Sequence, residues 1–499
     1  MTNTESAFIR NVATGVPGLD AILGGGLCEY AFNLVAGAPG VGKTTLVQQI
    51  LFANATPQRP ALYFTVLGEP TIKLIRYQRQ FEFFDPAQVP SAVRFINLSA
   101  EAAAGDLNLV LQRIVDEVSK TTPTPAFVAV DSFRTISAIP GASDADGALT
   151  LAHFVQRLAQ QLTTWEVTSF LIGEYNEHEG RNPVFTVADA IIWLSEDVER
   201  NSTTRKLRAV KVRGRSPMPG LHTFRITSRG LEAFPRIPEQ QRLRARRSER
   251  RLATGVPGLD EMTGGGIPAG DVVLIAGPAG SGKTTFAAQF VAQGLADGET
   301  CVVAVFEEYP EAYLARAKTP PVDLEAMIQA DRLAITYLRP LDLSVDEMLD
   351  DLRKNIERIG ATRVVIDSLS GFEIALAPTF RTDFRESLYR LVGALTATGV
   401  TVVLTAEVVE GNKGIRPSSE RVSFITDDIL VQFYVEIEGR LEKVLAVVKM
   451  RGSNHSTAFR LYHLTPEGAK IGRSLDGYQG ITTGVPNLVD VPPTVTAGE

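Results

Sequence analysis

The sequence predicts an α/β fold built twice: two tandem domains, each a mainly parallel sheet with helices on both faces and an added antiparallel edge. Three observations predict it. Residues 13–45, ATGVPGLDAILGGGLCEYAFNLVAGAPGVGKTT, return as residues 253–285, ATGVPGLDEMTGGGIPAGDVVLIAGPAGSGKTT. Short apolar runs without polar alternation recur in each half and read as strands buried on both faces. Longer segments with helical spacing separate them, the order that gives a parallel sheet.

The duplication comes first. FVAVDS at 127–132 matches VVIDS at 364–368, and KVRG at 211–214 matches KMRG at 449–452. A period of this length is too long for a solenoid and marks a repeated domain. The expected division is a first domain at 1–235, a basic linker at 236–251, a second domain at 252–473 and a flexible tail at 474–499. A chain of 499 residues needs more than one core in any case.

Within the halves, strands are expected at 61–67, 126–130 and 167–172, and again at 301–306, 363–367 and 400–405. Residues 107–119 and 344–359 carry helical spacing. After Asp189 and Asp427 the pattern changes, and 205–213, 222–227, 440–450 and 457–464 read as antiparallel strands at a sheet edge.

Each repeat carries a phosphate-binding motif. GAPGVGKT at 37–44 and GPAGSGKT at 277–284 both fit G-x-x-x-x-G-K-[ST], after an apolar strand and before a helical segment. Gly37, Gly40, Val41, Gly42 and Thr45 in the first copy, and Gly277, Gly280, Ser281, Gly282 and Thr285 in the second, would wrap backbone N–H groups round the phosphates of ATP. Lys43 and Lys283 would reach the β- and γ-phosphates. Thr44 and Thr284, with Asp131 and Asp367 at the ends of the strands FVAVD and VVID, would hold Mg²⁺ or its water shell.

A base is expected from the strand before each aspartate. The second half offers Glu307 and Glu308 in VFEEYP. The first half reads TVLGEP; aligned on the proline, Leu67 and Gly68 replace the pair and only Glu69 remains. The two sites are therefore expected to differ in turnover.

The order TGVPGLD, GGG, P-loop, EE, IDS, ITD and K-x-R-G, occurring twice over residues 10–473, resembles the KaiC family of circadian-clock-type ATPases within the RecA-like fold. The resemblance implies a homohexameric double ring with ATP between neighbouring subunits, slow ATP hydrolysis, and serine/threonine autophosphorylation in the second domain. It implies KaiB-like or other signalling partners. Glu307 and Glu308 match the family's catalytic glutamates. Lys211, Arg213, Lys449 and Arg451 match the K-x-R-G cations that reach a neighbour's nucleotide, a role suited to stabilising phosphate charge in trans. In SFITDD at 423–428, Ser423 keeps the family's phosphoacceptor serine, while Phe424 replaces the adjacent threonine.

Composition narrows the function classes. The net charge of −7 disfavours a nucleic-acid partner. That weakens the reading as a DNA-dependent RecA-type ATPase. An ATP-gated scaffold with little kinase activity is the remaining alternative to a clock-type ATPase and autokinase. Two cysteines, Cys28 and Cys301, cannot build a zinc site and fit a reducing cytoplasm. No run of about 18 apolar residues suggests a membrane span. The linker's arginines, Arg242, Arg244, Arg246, Arg247, Arg250 and Arg251, lack interleaved aromatics and read as a solvated connector. Residues 481–488, ITTGVPNL, echo the opening of each repeat with no third P-loop after them.

Overall fold

A computed structural model describes residues 10–66, 71–104, 106–132, 145–175, 183–199, 202–236, 249–317, 322–338, 344–376, 378–381, 384–408, 425–483 and 486–488. Two compact units emerge, Met1–Arg236 and Ile237–Glu499. Each is built on a nine-stranded sheet.

In the first unit the strands are β1 (Phe32–Gly37), β2 (Ala61–Thr65), β3 (Val93–Asn97), β4 (Phe127–Asp131), β5 (Thr168–Glu174), β6 (Ala190–Glu199), β7 (Ser202–Val212), β8 (His222–Thr227) and β9 (Gly230–Phe234). Across the sheet they lie in the order β3-β2-β4-β5-β1-β6-β7-β8-β9. From β3 to β6 the neighbours are parallel, and from β6 to β9 they are antiparallel. The second unit repeats this order with β10 (Val272–Gly277), β11 (Cys301–Val305), β12 (Leu333–Tyr337), β13 (Arg363–Asp367), β14 (Thr401–Glu407), β15 (Asp428–Ile437), β16 (Arg440–Met450), β17 (Arg460–Thr465) and β18 (Gly468–Ser474).

The P-loop strands β1 and β10 sit inside their sheets and are buried on both faces. Their alternate residues serve separate cores: Phe32, Leu34 and Ala36 face one layer, Val35 the other. That is why β1 and β10 read as unbroken apolar runs. Helices α1 (Leu107–Lys120) and α2 (Val345–Ile359) bury one stripe each, Val110, Ile114 and Val118 in the first and Leu349, Leu352 and Ile356 in the second. Asp106 and Ser344 cap their N-termini through the N–H groups of Asn108 and Glu347.

The expected antiparallel strands are present with shifted ends. β7 starts at Ser202, which pairs with Glu199 of β6. β17 starts at Arg460 rather than 457. Strands β3 and β12, which the sequence reading did not assign, pair at the outer edges, among the described residues on one side only.

Of the segment expected to be a tail, 474–499, the described residues 474–483 and 486–488 pack instead. Leu475 and Ile481 are buried in the second unit's core, and Tyr478–Gln479 pairs with Asn487–Leu488. Apolar residues three apart (Leu475, Tyr478, Ile481) supply one buried face among polar neighbours. The linker is also shorter than expected at its second end. Arg251–Leu252 forms a strand with Ile267–Pro268, and the Arg251 guanidinium donates to the carbonyls of Thr263 (2.9 Å) and Gly266 (2.8 Å) and to Ser453 Oγ (2.8 Å). Arg250 pairs with Glu299. Arg242, Arg244, Arg246 and Arg247 lie outside the described residues. Among the described residues no helix is long and apolar enough to cross a membrane.

Candidate functional site

Each P-loop joins its strand to a helix that begins at the motif lysine: α3 (Lys43–Asn54) and α4 (Lys283–Ala296). The glycine before the lysine carries a positive φ, 104° at Gly42 and 102° at Gly282. A Cβ there would lie 2.4 Å from Ile226 Cδ1 in the first unit and 2.8 Å from Leu464 Cδ2 in the second. The positive φ favours glycine, and any Cβ would also have to displace those side-chain tips, so glycine lets the loop present its amides at the helix N-terminus.

The lysines fold into the cradle. Lys43 Nζ donates to the carbonyls of Gly37 (3.0 Å) and Ala38 (2.6 Å), and Lys283 Nζ to those of Gly277 (2.9 Å) and Pro278 (2.8 Å). Burial lowers the pKa of both ammonium groups. Carboxylates oppose this, Glu174 and Asp131 near Lys43, and Glu407, Asp367 and Glu307 near Lys283. Val41 and Ser281 are buried, and Ser281 Oγ donates to Gln432 Oε1 at 2.9 Å. Their side chains therefore anchor the loop and leave only backbone to face a phosphate.

The strand-end aspartates stand across β5 and β14 from the P-loops. Thr44 Oγ1 donates to Asp131 Oδ2 at 2.8 Å, and Tyr63 Oη donates to the same oxygen. Burial raises the Asp131 pKa, against the hydroxyls of Tyr63 and Thr44 and the Lys43 charge, which lower it. The Tyr63 hydroxyl is held well above its ordinary pKa by burial and the Asp131 charge, so it stays a donor. In the second unit Thr405 Oγ1 donates to Asp367 Oδ1 at 2.5 Å. Asp367 Oδ2 is buried and has no hydrogen-bond partner among the described residues. A carboxylate oxygen left unpaired beside a P-loop fits a hydrated cation.

The two adjacent glutamates diverge. Ser368 Oγ donates to Glu307 Oε1 at 2.9 Å, which places Glu307 beside the end of β13. A Cβ at Gly371 would lie 2.9 Å from Glu307 Cγ, so glycine there makes the room. Glu308 turns to Arg316 instead. The structure thus brings Glu307, Asp367 and Lys283 together and leaves Glu308 outside. Glu69 and Ser423 lie outside the described residues, as do Leu67, Gly68 and Phe424.

The K-x-R cations engage their own domain. Lys211 Nζ donates to the carbonyls of Ala188 (2.5 Å), Thr186 (3.2 Å) and Phe185 (3.4 Å), and Lys449 Nζ to that of Thr426 (2.6 Å). Arg213 pairs with Asp189 at 2.8 Å and Arg451 with Asp427 at 3.5 Å. Both arginine side chains are more than half exposed, 59% and 52%. The guanidinium groups therefore remain open to a second phosphate or carboxylate.

Sequence reasoning missed Tyr63, Thr405, Glu174 and Glu407. A signal existed for the glutamates: β5 and β14 both end in Glu, in register with the first P-loop glycine, Gly37 against Glu174 and Gly277 against Glu407. Tyr63 and Thr405 looked like ordinary strand residues, because nothing local shows which neighbour a strand will face.

Two nine-stranded sheets of one topology, each with a P-loop and an aspartate two strands over, are the tandem RecA-like architecture. The family model described as "ATPase: KaiC" matches residues 12–237 and again 252–476. The chain belongs to the KaiC family. Among its relatives, the circadian clock oscillator protein KaiC of Parathermosynechococcus lividus is 28% identical over 98% of this chain and 90% of its own length. That of Synechococcus elongatus is 29% identical over 98% of this chain and 94% of its own. KaiC of Thermosynechococcus vestitus is 28% identical, over 98% and 94%. The two P-loop units described above are thus KaiC-type ATPase domains, and use of ATP follows from the family.

Proposed function

We propose that the chain is a KaiC-type timer or signalling ATPase that binds one ATP–Mg²⁺ in each half, turns ATP over faster in the second half, and phosphorylates itself at Ser423. One observation carries the difference in turnover: Glu307 stands with Asp367 and Lys283 at the second P-loop, while Leu67 and Gly68 take the glutamate positions in the first half. Glu307 is the group placed to accept the proton of a water or hydroxyl nucleophile. Lys43 and Lys283 bind phosphate oxygens once they exchange the loop carbonyls for them. Bound Mg²⁺ would neutralise phosphate charge, with Thr44 and Asp131, or Thr284 and Asp367, as its protein partners. Arg213 and Arg451, just past the ends of β7 and β16 with side chains more than half exposed, are suited to a phosphate presented by a neighbouring subunit in a hexameric ring. A KaiB-like protein is the class of partner such a ring would take.

Incubation with ATP labelled at the γ-phosphate tests this reading. The Lys43→Ala variant should retain most phosphate release and label on the Ser423 peptide. The Lys283→Ala variant should lose most of both. Equal release from the two variants overturns the ranking of the sites, and an unlabelled Ser423 peptide overturns the kinase. A specific residue favours the scaffold as second reading: Phe424 takes the place of one of the two adjacent acceptors, which counts against a two-site phosphorylation cycle.

A further inference from the structure

Each half holds its strand-end aspartate with one hydroxyl from a neighbouring strand, and the halves draw that hydroxyl from opposite sides. In the first unit the donor is Tyr63 on β2. In the second it is Thr405 on β14, 2.5 Å from Asp367 Oδ1. The register shows an exchange. Val303 occupies on β11 the place of Tyr63 on β2, two residues before the partner of the aspartate (Val305 against Asp367, Thr65 against Asp131). Ile172 occupies on β5 the place of Thr405 on β14, since Val35 pairs with Ile172 and Ile275 with Thr405. Ile172 also stands directly opposite Asp131.

A packing role alone does not explain the exchange. A buried tyrosine needs an acceptor, so Tyr63 by itself could be a satisfied core residue. The second unit has valine at that position and nothing there to satisfy, yet it restores a donor to the carboxylate from the other side. What the two halves share is a hydroxyl on the aspartate and not a residue at a position. A donor fixed on a neighbouring strand takes up one lobe of one oxygen and helps set the rotation of the carboxylate, which is the property a metal shell demands; on Asp131 it shares Oδ2 with Thr44 from α3. The Tyr63 ring is itself fully buried and tilted against Phe95, with centroids 5.3 Å apart, so its hydroxyl has one place to point.

We propose that Tyr63 and Thr405 are equivalent positioning residues, exchanged between strands, that orient Asp131 and Asp367 toward the cation bound with ATP. The inference rests on the reading of both P-loops as ATP–Mg²⁺ sites, and the experiment separates the two.

Binding of a fluorescent ATP analogue to the full-length chain is measured against Mg²⁺ concentration, with Lys283→Ala silencing the second site. Tyr63→Phe keeps the ring and removes the donor. It should raise the Mg²⁺ needed for half-saturation by about three- to tenfold, the range of an ordinary net hydrogen bond, and leave Mg²⁺-free binding unchanged. Adding Ile172→Thr, which moves the donor to the side used in the other half, should restore most of the loss; a purely structural tyrosine would not be rescued this way. Thr405→Val in a Lys43→Ala background is the mirror test, and it stands if Tyr63→Phe fails to fold. An unchanged or lowered Mg²⁺ requirement in both hydroxyl variants overturns the positioning role while the sites survive. Analogue binding that persists in the Lys43→Ala/Lys283→Ala double variant overturns the sites themselves.

Discussion

At the scale of the residue, the second unit's most demanding side chain is Arg363, which is fully buried. Its Nε donates to Glu299 Oε2 at 2.6 Å, its Nη1 to the carbonyls of Phe290 (2.8 Å) and Ala253 (2.9 Å), and its guanidinium carbon lies 4.4 Å from the Phe290 ring centre. It therefore ties β13 to α4 and to the segment that opens the second repeat. Phe127 begins the corresponding strand of the first unit, so the staple belongs to one half only. Removing one partner of a buried ion pair strands the other. Arg363→Ala should cost about 3–5 kcal/mol in denaturant unfolding of the second unit; a loss below about 1 kcal/mol would mean that Arg250, which already pairs with Glu299, holds that carboxylate unaided. The site residues divide by the same logic. Lysine, threonine and aspartate were legible because their spacing is dictated by the phosphate they serve. Tyr63 and Thr405 were not, because each acts across a strand boundary.

Among elements, the turn into α3 decides whether the first site can form. Gly42→Ala places a methyl group on a backbone with φ of 104° and 2.4 Å from Ile226 Cδ1. The left-handed conformation costs an alanine about 1–2 kcal/mol before the clash is counted. Nucleotide titration of Gly42→Ala in the Lys283→Ala background should show affinity reduced by at least about tenfold, following from that cost, with the helix content of the chain kept. Unaltered affinity would show that the loop relaxes without moving its amides. Element prediction worked best where both faces of a strand are buried. It failed at β3 and β12, where Val93–Asn97 and Leu333–Tyr337 mix buried and half-exposed positions. An edge strand is made by its neighbour as much as by its own sequence. The packed segment 475–483 was hidden in the same way: its apolar residues are few, and they count only because a core is there to receive them.

For the whole molecule, the ring proposed above has a direct test. With ATP and Mg²⁺ the native mass should be six times that of one chain; a monomer with nucleotide bound would refute the ring and leave Arg213 and Arg451 without a phosphate to reach. Sequence by itself determined the duplication, the P-loops, the order of buried strands and the membership of the KaiC family, because these depend on local spacing and on periodicity along the chain. It also showed that the two halves differ at Glu307. Only the tertiary structure decided which glutamate of the pair faces the site, that Asp131 and Asp367 take their hydroxyls from opposite strands, and that the end of the second repeat is core. Those outcomes turn on residues far apart in the chain meeting across a parallel sheet, where strand order is set by the crossovers and the pairing of side chains follows from register.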